Sequence, residues 1–348
     1  MKEEALSMST THADPRAVAC ASFWQAVSAR LDGLRALPAR ELVDALNELL
    51  EPFFPRLAAE VLGDPPAFTL VLTAHGSEND FGDLIALVQS APALPQVEVE
   101  AFRQRTRDGF SMRMGDFELA SADVLVKHEP YRGLVALEIG FAKPVPMDMQ
   151  DHARHMSLIM LDHVLGEYDF AVKVGAVDHV EADAHDAFDG VSLDAFVPLF
   201  DACWRDELGH TGVFLAGEHP WSGLTATRED EDGSEIEMVV MRNDAANALV
   251  ARADLSHHFS AAVPVESGEE LELARSYEDR LTALLQRHEE GCCTHVVLEQ
   301  GVRTVNYQVA DPAVALAHAQ SLEADAGLPV TLDVAFDPTW KAYRIWLG

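Results

Sequence analysis

Four side chains able to ligate a divalent cation, His179, Glu181, Asp183 and His185, recur at every second position. On one continuous strand all four would project from the same face, and imidazole with carboxylate is a donor set that metal-dependent hydrolases use. The competing reading is a strand that frays into a polar connection, and the acidic composition of residues 183–193 favours it. A second group, His152, His155 and His163, falls on one helical pattern. The first two, three positions apart, are neighbours on a helix, whereas His163 lies roughly two turns further on, as expected of a solvated face. His288, Cys292, Cys293 and His295 have the types of zinc ligands but not their spacing, and adjacent cysteines on a strand point to opposite faces. No metal is assigned to any of these groups, and no cofactor is expected.

Catalytic signatures are missing elsewhere. The sequence has no phosphate-binding glycine loop, nucleophile elbow, paired zinc histidines on a helix or dinucleotide fingerprint. Its dispersed carboxylates single out no glycosidase-like pair. What it has in excess is negative charge: 58 acidic against 25 basic residues, a formal net charge of −33 over 348 residues. The excess is spread along the chain, since residues 219–348 carry 22 acids and 9 bases and the remainder 36 and 16. A phosphate-binding surface needs clustered Lys and Arg, so nucleic acid is excluded as the expected partner and a basic protein is favoured.

The densest cluster is Glu229-Asp230-Glu231-Asp232-Gly233-Ser234-Glu235, in which Asp-Gly signals a tight hairpin turn. It is not a calcium loop, because Ser234 and Glu235 stand where that loop needs an Asn or Asp and then a Gly. Glu229, Asp230, Glu231, Asp232 and Glu235 are therefore the candidate partner-binding residues, positioned to meet a cationic surface with salt-sensitive association. A solubilising loop is the plainer alternative.

The elements around these groups follow from periodicity and punctuation. Apolar residues spaced three and four apart predict a helix over 17–37, a second opened by Pro38 and running to Phe53, where Pro52 and Pro55 kink or end it, and further helices over 79–89 and 149–167. Strands are predicted at 68–74, 97–102 and 176–182, with a hairpin joining 122–128 to 133–141. A short helix is expected over 195–204. From Leu224 the pattern is a hairpin, 224–228 with 236–242, then a strand, helix, hairpin, helix and strand. Asp311 caps the second of those helices, with Pro312 at its first position. The fold class is thus α+β: two antiparallel-sheet domains with helices on one face, the C-terminal one a ferredoxin-like β-α-β-β-α-β unit. The expected division is a flexible leader at 1–16, an N-terminal domain at 17–182, an acidic linker with a short helix at 183–218 and the C-terminal domain at 219–348. The aromatic ending, with Trp340, Tyr343 and Trp346, reads as core.

The C-terminal residues Tyr277-Glu278-Asp279-Arg280-Leu281, Gly301-Val302-Arg303-Thr304-Val305-Asn306-Tyr307 and Asp337-Pro338-Thr339-Trp340-Lys341-Ala342-Tyr343 carry a resemblance. Over about Trp221 to Leu347 the chain resembles the bacterial domain-of-unknown-function family 695, whose members are at times associated with proteins resembling the ribonuclease E inhibitor B. The resemblance implies a nuclease-binding regulator and assigns no catalytic residue. With four irregularly spaced cysteines, no secretory core at the start and no long apolar run, the chain is expected in the cytoplasm without a membrane partner. The expected function is a non-catalytic acidic binding module: an inhibitor, immunity protein or regulator that masks a basic nuclease or toxin. A metal-dependent hydrolase using the cluster near residue 180, and a structural or assembly module that pairs as a homodimer, are the alternatives.

Overall fold

The computed structural model of the chain describes residues 14–180, 188–215, 217, 220–230, 232–327 and 329–347. The chain is α+β, with helices and strands gathered into several small sheets. It divides into two compact units, 1–108 with 158–171 and 109–157 with 172–348, bounds that do not coincide with 17–182 and 219–348.

In the first unit, α1 (Pro15–Leu34) starts on an Asp14 cap whose carboxylate accepts from the Arg16 amide at 3.1 Å. It buries Phe23, Trp24, Val27 and Leu34, and the Trp24 indole donates to the Leu87 carbonyl at 2.8 Å. Helix α2 (Ala39–Leu50) buries Leu42, Leu46, Leu49 and Leu50 at the expected spacing. These helices accompany a three-stranded sheet of β1 (Ala58–Leu62), β2 (Phe68–Thr73) and β3 (Val97–Ala101), in that order. Strand β2 pairs with β3 in parallel, because the connection between them runs through a crossover helix, α3 (Phe81–Gln89). Strand β1 is absent from the sequence expectation. Its backbone is held on one side by β2 and on the other by Asn47, which donates to the Ala59 carbonyl at 3.0 Å and accepts from the Ala59 amide at 2.8 Å.

The second unit contains a hairpin of β4 (Ser111–Met114) and β5 (Phe117–Ala120) and a second hairpin of β6 (Val124–Tyr131) and β7 (Leu134–Phe141). Helix α4 (Gln150–Leu165), divided between the units after Ser157, stops at Gly166, whose φ of +81° is left-handed and favours glycine. The helix expected over 149–167 therefore ends at Leu165, and a separate α5 (Glu167–Lys173) follows. Strand β8 (Val174–His179) then pairs in parallel with β7, and β9 (Val191–Ser192) antiparallel with β6, giving the order β8-β7-β6-β9. Helix α6 (Leu193–Ala202) buries Leu193, Phe196 and Phe200 and runs into a π-helical turn, Cys203–Glu207.

The remaining elements form one six-stranded antiparallel sheet. They are β10 (Trp221–Glu229), β11 (Glu235–Asn243), β12 (His257–Pro264), α7 (Gly268–Arg287), β13 (Gly291–Glu299), β14 (Val302–Val309), α8 (Pro312–Ala326), β15 (Thr331–Phe336) and the short α9 (Lys341–Arg344). The sheet order is β10-β11-β13-β14-β12-β15, so the two strand-helix-strand crossovers interleave. Side chains of α7 and α8, among them Tyr277, Leu281, Leu285, Ala315 and Ala319, pack onto Phe259, Ala261, Val296, Val305 and Tyr307. Gln300 and Gly301 both take left-handed backbone angles, as the two-residue turn joining β13 to β14 requires. Helix α7 is capped by the Ser267 hydroxyl, which accepts from the Glu270 amide, and α8 by Asp311, which accepts from the Ala313 amide at 2.8 Å.

Candidate functional site

The pairing of β10 with β11 places Trp221, Gly223, Thr225, Thr227 and Glu229 on one face, together with Glu235, Glu237, Val239 and Met241. Val239 lies opposite Leu298 of β13, and Leu298 opposite Arg303, which turns to Glu278 of α7. This is the helix-bearing face of the sheet. Over β12 to β15 it is filled by the two helices, but over the hairpin it stays open: Trp221 is 40%, Val239 44%, Met241 38% and Leu298 39% exposed. On the opposite face of β11, Ile236, Met238 and Val240 are buried. The hairpin thus presents an apolar shelf beside α7, and large apolar side chains grouped in this way mark interaction surfaces more often than scattered ones do.

Both margins of the shelf are acidic. Beside it, a groove of about 700 Å³ is lined by Trp221, Phe214, Leu215 and Leu249 together with Glu278, Asp279, Gln286 and Glu289. Glu278 accepts from Arg303 at 2.7 Å, and burial pushes its carboxyl above the ordinary value despite that guanidinium. At the far end of the hairpin, Glu229 stands directly opposite Glu235, with Glu237 opposite Thr227 on the same face. Like charges facing each other across a pair of strands are destabilising.

The tip residues nominated by the sequence separate by role. Glu229 and Glu235 are exposed on the shelf face. Asp232 is engaged within the turn, where it accepts from the amide and hydroxyl of Ser234, and these bonds hold its carboxyl below the ordinary range. Asp230 lies 3.8 Å from Arg228, which also pairs with Glu299. Glu231 lies outside the described residues. The sequence expectation does not include the shelf; its local signal is the unbroken apolar run Met238-Val239-Val240-Met241, which places apolar side chains on both faces of β11.

Of the cluster near residue 180, His179 ends β8 and Glu181, Asp183 and His185 lie outside the described residues. The His179 Nε2 is 3.0 Å from the Ser157 hydroxyl, which itself donates to the Arg154 carbonyl at 2.7 Å. The serine proton is therefore directed away from the imidazole, which donates to the oxygen, the reverse of a nucleophile and its base. Burial, followed by the charge of Arg154, lowers the His179 pKa below its ordinary value. His152 and His155 are exposed and His163 half-buried along α4. His288 is exposed, whereas Cys292, Cys293 and His295 are buried on β13. Burial pushes the Cys292 thiol up to about 12 and Cys293 well above its ordinary value, so neither is an activated nucleophile. All four cysteines are free and buried.

The aromatic tail holds the fold together. Asp337 accepts from the amides of Lys341 and Ala342 at 2.7 and 3.1 Å, Trp340 takes a left-handed φ of +54°, and its indole donates to the Leu255 carbonyl at 2.9 Å. Tyr343 is buried and donates to the Asn243 carbonyl at 3.0 Å. Among the described residues no helix is long and apolar enough to cross a membrane. Comparison with protein-family models, with curated proteins and with solved structures finds no match to the chain.

Proposed function

We propose that this chain is a non-catalytic binding protein whose open β10–β11 shelf receives a basic, amphipathic segment of a partner protein. The observation that carries this reading is one exposed apolar face bounded at its side by Asp279 and Glu289 and at its end by Glu229, Glu235 and Glu237. Apolar contact alone is not enough. Four side chains each about 40% exposed offer roughly 2–5 kcal/mol on full burial, before the cost of association, which corresponds at best to millimolar binding. Micromolar affinity requires the carboxylates to take part. They also select the partner, because a second copy of a chain with a net charge of −33 brings repulsion to the same surface. A basic nuclease or toxin held inactive in the cytoplasm, with this chain as inhibitor, immunity protein or regulator, is the biological setting we infer. The likeness of the C-terminal region to family 695 belongs to the same proposal.

The test is a titration of the full chain against a fluorescent amphipathic peptide carrying Lys and Arg on one face and Leu on the other. Binding is expected to weaken at least about tenfold as salt rises through the physiological range, since the Debye length shrinks. Combined Trp221→Ala, Val239→Ser and Met241→Ser substitution should cost a further factor of about ten or more. Glu229→Lys with Glu235→Lys should lower both the association rate and the salt dependence. Equal affinity for an acidic peptide of the same apolar face, or indifference to all these substitutions, would overturn the reading. A concentration-dependent dimer abolished by the Trp221 variant would assign the shelf to self-association instead.

A further inference from the structure

His128 of β6, together with Cys203 and Glu207 of the π-helical turn that follows α6, forms a group that neither the shelf nor the groove includes. The imidazole nitrogen, the thiol sulfur and a carboxylate oxygen all lie within 4.8 Å of one another. We propose that these three residues form a binding site for a divalent transition-metal ion of zinc type.

Three features of the local structure support it. The first is the donor set. A thiolate, an imidazole and a carboxylate together suit zinc and its borderline neighbours, whereas calcium and magnesium take oxygen ligands. Around a tetrahedral zinc such donors stand roughly 3.3–3.8 Å apart, as follows from metal–ligand bonds of about 2.0–2.3 Å. With every observed separation within 4.8 Å, closing needs roughly 1 Å of movement, supplied by rotation of the exposed Glu207 side chain and a small adjustment of the His128 ring towards Cys203.

The second feature is the backbone. Residues Cys203–Glu207 form a π-helical turn, closed by the Leu208 amide donating to the Cys203 carbonyl at 2.9 Å. Single π turns are uncommon and concentrate at functional sites, and this one keeps Cys203 and Glu207, four positions apart, on the side that faces β6. The third is the setting. Cys203 is fully buried and Glu207 exposed, with His128 between them in burial and its ring 5.5 Å from that of Phe196. A site with a dry thiol end and a wet carboxylate end has an entry path from solvent. Three protein ligands leave the fourth position of a tetrahedral ion to water. Burial and the Glu207 carboxylate push the thiol up to about 11, so as a free group it is a poor nucleophile.

The test uses Co²⁺ as the probe and Zn²⁺ as the competitor, on the full metal-free chain. One equivalent of Co²⁺ should give the visible bands of a four-coordinate ion with a thiolate-to-cobalt charge-transfer absorption, and Zn²⁺ should bleach both. Cys203→Ala should abolish the charge-transfer band and weaken binding at least about 100-fold, while the other three cysteines leave it unrestored. His128→Gln should weaken binding about tenfold or more. Glu207→Gln alters an exposed side chain, so it leaves the fold intact should Cys203→Ala misfold, and it too should weaken binding several-fold. Absence of a thiolate band in the native chain, or a band that survives in the Cys203 or Glu207 variants with unchanged affinity, would overturn the proposal.

Discussion

Glu167→Ala should destabilise the first unit by about 4 kcal/mol, although Glu167 lies outside every group that could do chemistry. Its carboxylate is fully buried and accepts three backbone hydrogen bonds, from the amides of Ala74 at 2.8 Å, Gly76 at 3.0 Å and Arg103 at 3.0 Å. The residues after β2 need such a partner, because His75 and Gly76 both take left-handed angles that turn their amides away from the sheet ladder. Each buried donor left without an acceptor costs about 1–3 kcal/mol, more where the lost partner is charged. Truncation orphans three at once, and partial entry of water brings the sum down to the figure given. Glu167→Gln should cost about half as much, since one amide oxygen still accepts while its NH₂ group confronts donors. The ion pairs of Arg103 with Glu60 and Asp162 remain in both variants. Urea unfolding gives the magnitude, and hydrogen exchange locates it, with faster exchange at Ala74, Gly76 and Arg103. A loss below about 1 kcal/mol in the Ala variant, with those amides still protected, would contradict this account.

The parts of the fold legible in the sequence are those in which local and tertiary preferences agree. The run from β12 to β15 was readable because the cap of α8, the Gln300-Gly301 turn and the apolar alternation of β15 all point one way. Strand β1 was not. Ala58-Ala59-Glu60-Val61-Leu62 has no alternation and a composition that suits a helix, and its extended form is imposed by Asn47 and β2. Gly166 was visible as a glycine within a helical pattern, yet only its left-handed angle shows that it ends α4 and frees Glu167 to turn inward. The candidate site divides in the same way. The acids at the hairpin tip are a local feature, visible as a run of residues. The apolar shelf depends on how many strands α7 and α8 cover, a property of the assembled sheet. For His128, Cys203 and Glu207 only the spacing of the last two is local, while the strand that brings His128 to them is 75 positions away from Cys203.

Acid should weaken the second unit through His295, and the sign follows from its surroundings. The ring is buried on β13, with Nδ1 3.0 Å from the Thr294 hydroxyl, which itself donates to the Asn306 carbonyl, so the imidazole donates through Nδ1. Among the described residues, the groups that set its titration include no carboxylate. Arg242 of β11 lies opposite in the sheet, His258 of β12 hydrogen-bonds Asn306 at 3.0 Å, and the Trp346 ring is 5.9 Å away. Burial, with a smaller push from His258, lowers the pKa from the ordinary 6.5 to about 3. The unfolded chain therefore takes up a proton that the folded chain refuses. Stability from this residue is complete above pH 6.5 and is lost at about 1.4 kcal/mol per pH unit as the pH falls towards about 3. The full loss is about 5 kcal/mol. Burial also lowers His163, His179 and His210, and carboxylates titrate in the same range, so the informative quantity is a difference between two proteins. His295→Gln keeps a donor for Thr294 and removes the titration. Near neutral pH the variant should be less stable by about 1–2 kcal/mol, the cost of imperfect packing and hydrogen bonding. Towards pH 4 the native chain should lose that advantage and become the less stable of the two, as read from urea midpoints at each pH. Parallel curves would mean that the folded protein accepts the proton without penalty, and that His295 has more access to water than its burial indicates.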